Sequence, residues 1–132
     1  MATLLVRTDF DHPEAWETLC HTLETPTADG VHADVVTVDD PAYRGLTPEQ
    51  VLDRAPDASG VRLVAVADTA ALSTAELPLL TIDVAAEPPR SLRVVAAELW
   101  SIDNNLSLAA MDYEEFADAA DESGVFRGFR GF

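Results

Sequence analysis

The chain has no lysine. All eight of its basic residues are arginine, set against 24 Asp and Glu, for a formal net charge of −16. A surface with that excess repels nucleic-acid phosphates and anionic membrane leaflets, so neither is expected as a partner. Cysteine is reduced to Cys20, which excludes an internal disulfide and fits a reducing cytoplasm. Only six glycines are present, and none follows the first predicted strand, so a glycine-rich phosphate turn is not expected. The GxSxG, HExxH and CxxC signatures are missing as well. No apolar run approaches the roughly 18–20 residues of a membrane span. The N-terminus lacks the basic start and long apolar stretch of a secretory leader, and reads as a first strand. Isoleucine is confined to Ile82 and Ile102, and asparagine to Asn104 and Asn105. Lys, Asn and Ile share AT-rich codons, so their joint scarcity reads as a high-GC genome. Arginine in place of lysine is then codon usage rather than a need for bidentate recognition. The acidity has no such origin, because GC-rich codons supply Arg as freely as Asp.

What is present is ample for one core. At 132 residues and 48% hydrophobic content, the chain reads as a single α/β domain over 1–125, followed by a tail over 126–132. Thr3–Arg7 is a short apolar strand. Over 13–24, Trp16, Leu19, Cys20 and Leu23 recur with helical spacing and mark one apolar face. Asp11 and Glu14 have capping-box spacing there, with Pro13 in the first turn. Val31–Val38 reads as a second strand. Thr47, Pro48 and Gln50 open a second helix that must end before Pro56.

Val61–Ala67 is almost wholly apolar, as expected of a strand covered on both faces. Residues 69–77 read as a short helical crossover, and Leu79–Val84 as a fourth strand. Ala85–Arg90 is too short for a helical crossover, which predicts Leu92–Ala96 as an antiparallel edge strand. A last helix begins near Asp112 and ends before Gly124. The order β-α-β-α-β-(α)-β-β-α implies a three-layer α/β sandwich around a mixed, mostly parallel five-stranded sheet. The tail carries Phe126, Phe129 and Phe132 with Arg127 and Arg130. An exposed tail of that kind is a liability, so docking against the domain or a neighbouring subunit is expected.

Carboxylates gather at the ends of the predicted parallel strands: Asp9, Asp39, Asp40 and Asp68. Ligands of open α/β sheets bind beyond the carboxyl ends of the strands. Converging carboxylates there would bind Mg²⁺ through oxygen, with Asp9, Asp39 and Asp68 as the metal candidates, or supply a general acid or base. The plainer role is helix capping and turn formation. Asp103, Asn104 and Asn105, with Trp100 just before them, form a second candidate patch, for a polar ligand or a partner. The plainer role there is an Asx-turn ordering a long connection. Asp112 and Glu115 lie on an acidic helix that can face a basic partner. His12, beside Asp9 and Asp11, has the chemistry of a ligand or base, but no ligand spacing accompanies it. It reads with His21 and His32 as a surface histidine, and Cys20 as a core residue.

Several segments together resemble a small actinobacterial family of unknown function. They are Leu4-Leu5-Val6-Arg7-Thr8-Asp9-Phe10, Val38-Asp39-Asp40-Pro41-Ala42-Tyr43, Glu98 through Ser107, Met111 through Phe116, and Val125 through Phe129. The resemblance implies a cytoplasmic setting and no particular activity, and Arg130-Gly131-Phe132 departs from it. Two function classes follow from the residues. The first is a small acidic interaction or regulatory protein binding a basic protein partner, as an immunity protein does, with self-association open. The alternative is a small-molecule enzyme, Mg²⁺-dependent or cofactor-free, using the strand-end carboxylates. Carboxylates converging on a pocket would mark the enzyme, and dispersed ones the interaction protein.

Overall fold

The computed structural model describes residues 3–25, 35–54, 63–84, 90–102, 113–120 and 124–127. The chain forms an α/β fold around a mixed sheet of six strands, in the order β2-β1-β3-β4-β5-β6. The strands are β1 (Thr3–Arg7), β2 (Val35–Val38), β3 (Leu63–Ala67), β4 (Pro78–Asp83), β5 (Arg90–Val95) and β6 (Val125–Phe126). The helices are α1 (Pro13–Glu24), α2 (Pro48–Arg54), α3 (Thr69–Leu72) and α4 (Tyr113–Asp118). Short 3₁₀ turns cover Pro41–Tyr43 and Ala96–Glu98, and the chain is helical again at 99–102. Among the described residues, no helix is long and apolar enough to cross a membrane.

β1 pairs in parallel with β2 on one side and β3 on the other. β3, the apolar run Leu63–Ala67, is buried at every position, as expected of a strand covered on both faces. Its alternate residues divide the core. Leu63 and Ala65 join Leu5, Leu79, Leu92 and Val94 beneath Trp16, Leu19 and Leu23 of α1, and beneath Tyr113 and Phe116 of α4. Val64 and Val66 join Leu4, Val6 and Ile82 with Tyr43 and Val51 of the α2 region. The helix following β1 and the helix following β2 therefore serve opposite faces of the sheet.

The expected five strands become six. Val125–Phe126 pairs in parallel with β5, at the register Arg93↔Val125 and Val94↔Phe126. Phe126 is fully buried and meets the Phe116 ring edge-on at 5.3 Å between centroids. Burying that ring draws the segment into the sheet, and β5 is no longer an edge. The rest of the tail, 128–132, lies outside the described residues.

β5 runs antiparallel to β4, as its short connection requires. β4 also runs antiparallel to β3, although a helical crossover over 69–77 implied a parallel pair. The link from Ala67 to Pro78 contains only the four-residue α3. A parallel return needs a dozen or more residues. Leu77 turns the chain, with its backbone in the left-handed region at φ 52°. Its carbonyl and that of Glu76 both accept from the Ala96 N–H, which pins the turn against the end of β5.

Candidate functional site

Because β1, β2 and β3 are parallel, the residues that follow them emerge at one edge of the sheet. Asp39 and Asp40 follow β2, Asp9 follows β1, and Asp68 follows β3. The chain passes from β1 outward to β2 and then back across β1 to β3. The switch point of the sheet, where α/β proteins place their ligands, therefore lies between β1 and β3. Asp9 and Asp68 flank it.

The backbone there is closely tied. The N–H groups of Thr8 and Asp9 both donate to the Ala67 carbonyl, at 3.1 and 3.3 Å. Gly45, at φ 71°, donates its N–H to the Thr8 carbonyl at 2.9 Å. Arg7 Nε donates to the Asp9 carbonyl at 3.1 Å. The same guanidinium lies 4.5 Å from the Phe10 ring centroid and 5.0 Å from that of Trp16. An arginine stacked between two rings is a rigid prop for the segment that carries Asp9.

Asp9 is held in turn. Its side chain is only 2% exposed. Oδ1 accepts from the Asp11 N–H at 2.7 Å, and Oδ2 lies 2.7 Å from His12 Nδ1. An ionised carboxylate only accepts hydrogen bonds, so Nδ1 carries the proton, and in the neutral ring Nε2 is the acceptor nitrogen. Burial pushes the Asp9 carboxyl upward. The hydrogen bonds from Asp11, His12 and Thr69 outweigh it and hold the carboxyl below its ordinary value. The His12 side chain is 41% exposed. It borders an open depression of about 380 Å³ with Asp11, Pro13, Glu14 and Ala15.

The other strand-end carboxylates are engaged one at a time. Asp39 accepts from Arg7 at 3.2 Å. Asp40 accepts from the Ala42 N–H at 2.9 Å and caps the 3₁₀ turn. Asp68 caps α3 through the Ala71 N–H and takes both Arg93 nitrogens, at 2.8 and 2.7 Å. That bidentate pair spans β4, and Arg93 also donates to the Pro78 carbonyl. Among the described residues, no three His, Cys, Asp or Glu side chains are grouped so as to hold a metal ion.

Asp11 is not the cap that its spacing with Glu14 suggested. His12 occupies the N-cap position of α1 without a side-chain cap bond, and Asp11 pairs with Arg44 at 3.2 Å. Trp100 is half-buried against the core beneath α1 and α4, and Glu115 is exposed. Asp103, Asn104, Asn105 and Asp112 lie outside the described residues. The arginines that neutralise the strand ends, Arg7 and Arg93, were not singled out from the sequence. For Arg7 the signal was positional, since it stands on β1 beside the strand that Asp39 follows; Arg93 reaches Asp68 across β4, which no sequence pattern marks.

The fold and this edge define an α/β protein with a buried carboxylate at its switch point, paired with a half-exposed imidazole. Residues 2–129 match a domain of unknown function, DUF6924, and the chain belongs to that family. No curated protein matches the chain.

Proposed function

We propose that this protein is a small cytoplasmic interaction or regulatory module that binds a basic protein partner, in the manner of an immunity protein. The scaffold reads as a three-layer sandwich presenting α1 outward. The observation that carries the proposal is the outer face of α1. Glu14, Glu17 and Glu24 recur there at helical spacing with His21 between them, all exposed. Among the described residues, no arginine pairs with these three glutamates, whereas Arg7, Arg44, Arg93 and Arg127 are matched to Asp39, Asp11, Asp68 and Glu76. Glu14 and Glu17, one turn apart, cost the helix a few tenths of a kcal/mol (about 0.2–0.5). A cationic partner turns that penalty into attraction and steers its own approach. The Mg²⁺-dependent alternative would need Asp9, Asp39, Asp40 and Asp68 within one coordination shell, and their separate partners weigh against it.

The test is co-purification of tagged full-length protein from the cells that produce it, beside a Glu14→Gln, Glu17→Gln, Glu24→Gln variant. The reading expects a basic protein retained by the wild type, weakened by salt and lost from the variant. A partner that binds both forms equally, or an acidic partner, would overturn it.

A further inference from the structure

We infer that Asp9 and His12 form a proton-transfer dyad, with His12 Nε2 as general base for hydrolysis of a small neutral or cationic ester. This inference is independent of the interaction reading. Three observations converge on it. The first is geometry: a carboxylate 2% exposed holds Nδ1 at 2.7 Å, which in the neutral ring sets the tautomer and leaves the lone pair on Nε2. The second is rigidity. Asp9 is fixed by the bonds of its own backbone to Ala67 and Arg7 and by the Asp11 N–H on its other oxygen. A base held this firmly needs little reorganisation at the moment of reaction. The third is position: Asp9 stands at the switch point between β1 and β3, and His12 lines a depression of about 380 Å³, within the range that small ligands occupy.

The surroundings choose the substrate. Asp11, its charge offset by Arg44, and Glu14, unpaired among the described residues, line the depression, so the net charge there is negative and favours a neutral or cationic substrate over an anionic one. Among the described residues no serine or cysteine lines the depression, and water serves as the nucleophile. As the water oxygen bonds to the ester carbonyl carbon, one of its protons passes to Nε2. When the tetrahedral intermediate collapses, the bond to the leaving alkoxide breaks and Nε2 returns that proton to the alcohol oxygen. Water and ester become acid and alcohol, and the imidazole ends as it began. Asp9 stays ionised throughout and acts as a positioning residue.

The experiment uses the full chain with p-nitrophenyl acetate, an activated neutral ester, against N-acetylhistidine at equal concentration and pH. We expect the protein to exceed the free imidazole by roughly a hundredfold, the low end of the usual contribution of a general base, with the excess lost in His12→Gln. His32→Gln, which removes a different imidazole, should keep the full rate. A normal solvent deuterium isotope effect is expected. Asp9→Asn can present its amide N–H₂ to Nδ1 and so favour the wrong tautomer, and it should lose most of the excess. If Asp9→Asn does not fold, nitrogen NMR of the wild-type protein decides the role of Asp9. Neutral His12 should then show a protonated Nδ1 and a bare Nε2. A rate no higher than N-acetylhistidine, an excess retained in His12→Gln, an accumulating acetyl-imidazole, or the opposite tautomer would each overturn the proposal.

Discussion

Tyr113 stands at the start of α4 with its hydroxyl in the core. It donates to the Thr81 carbonyl at 3.1 Å and lies 2.9 Å from Thr81 Oγ1, which itself donates to the Leu92 carbonyl at 2.7 Å. This small polar relay ties α4 to the β4–β5 pair beneath it. Removing the phenol oxygen leaves Thr81 with an unfilled acceptor in a dry place. Tyr113→Phe is therefore expected to cost about 1–2 kcal/mol in denaturant unfolding. Burial pushes the Tyr113 hydroxyl up to about 12, from an ordinary value of 10.0. The folded state thus keeps its proton where the unfolded chain gives it up. The stability this contributes is complete below pH 10 and lost as the pH rises toward 12. An alkaline melting series should show that loss in the wild type and a shallower fall in Tyr113→Phe. The relay had no signature in the sequence, because neither Thr81 nor Tyr113 departs from an ordinary strand or helix pattern. The capping box at Thr47 and Gln50 did, and it forms: Thr47 N–H donates to Gln50 Oε1 at 2.9 Å, and Gln50 N–H to Thr47 Oγ1 at 3.2 Å. A reciprocal local bond needs only the right spacing. Asp11 had that spacing too, but Arg44, brought in from elsewhere in the fold, pairs with it instead.

At the scale of elements, β1 holds the sheet together. It lies between β2 and β3, and Leu5 is 1% exposed at the centre of the core under α1. Leu5→Ala is expected to cost about 2–5 kcal/mol, because the strand cannot shift to fill the space without breaking register with two neighbours. A loss below about 0.5 kcal/mol in chemical denaturation would remove β1 from that role. The strands and α1 were legible because each carries its own period: continuous burial in β3, helical spacing in Trp16, Leu19 and Leu23. The direction of β4 was not. It depends on whether 69–77 recrosses the sheet, and the same apolar pattern serves either direction. The length of the connection and the turn at Leu77 decided it. β6 was missed as a strand because two residues have no period, and only the buried contact between Phe126 and Phe116 gives it a place.

For the whole molecule, a formal charge of −16 makes the folded state repel itself. Salt screens that repulsion over a Debye length of roughly 8–10 Å at 0.1–0.15 M. Adding NaCl at pH 7 should raise the melting temperature. Because the strand-end carboxylates are satisfied separately, Mg²⁺ at matched ionic strength should give the same rise. An additional Mg²⁺ increment that vanishes in Asp39→Asn would restore a metal centre at the strand ends. Melting that falls on adding salt would mean that pairs such as Arg93 with Asp68 outweigh the general repulsion.

Composition and periodicity by themselves determined the α/β class, the net charge of −16, and the elements that carry their own repeat or local caps. These properties are additive or local, so the residues declare them one by one. Only the tertiary structure decided the direction of β4, the sixth strand, the division of the strand-end carboxylates among arginines and caps, and the pairing of Asp9 with His12. Each of these depends on which distant segments share a place. Asp68 and Arg93 are far apart in the chain and meet because β4 lies between their strands. The Asp9–His12 contact is local in sequence, but Asp9 is also held by Ala67 and Thr69, which only the closed sheet brings to it.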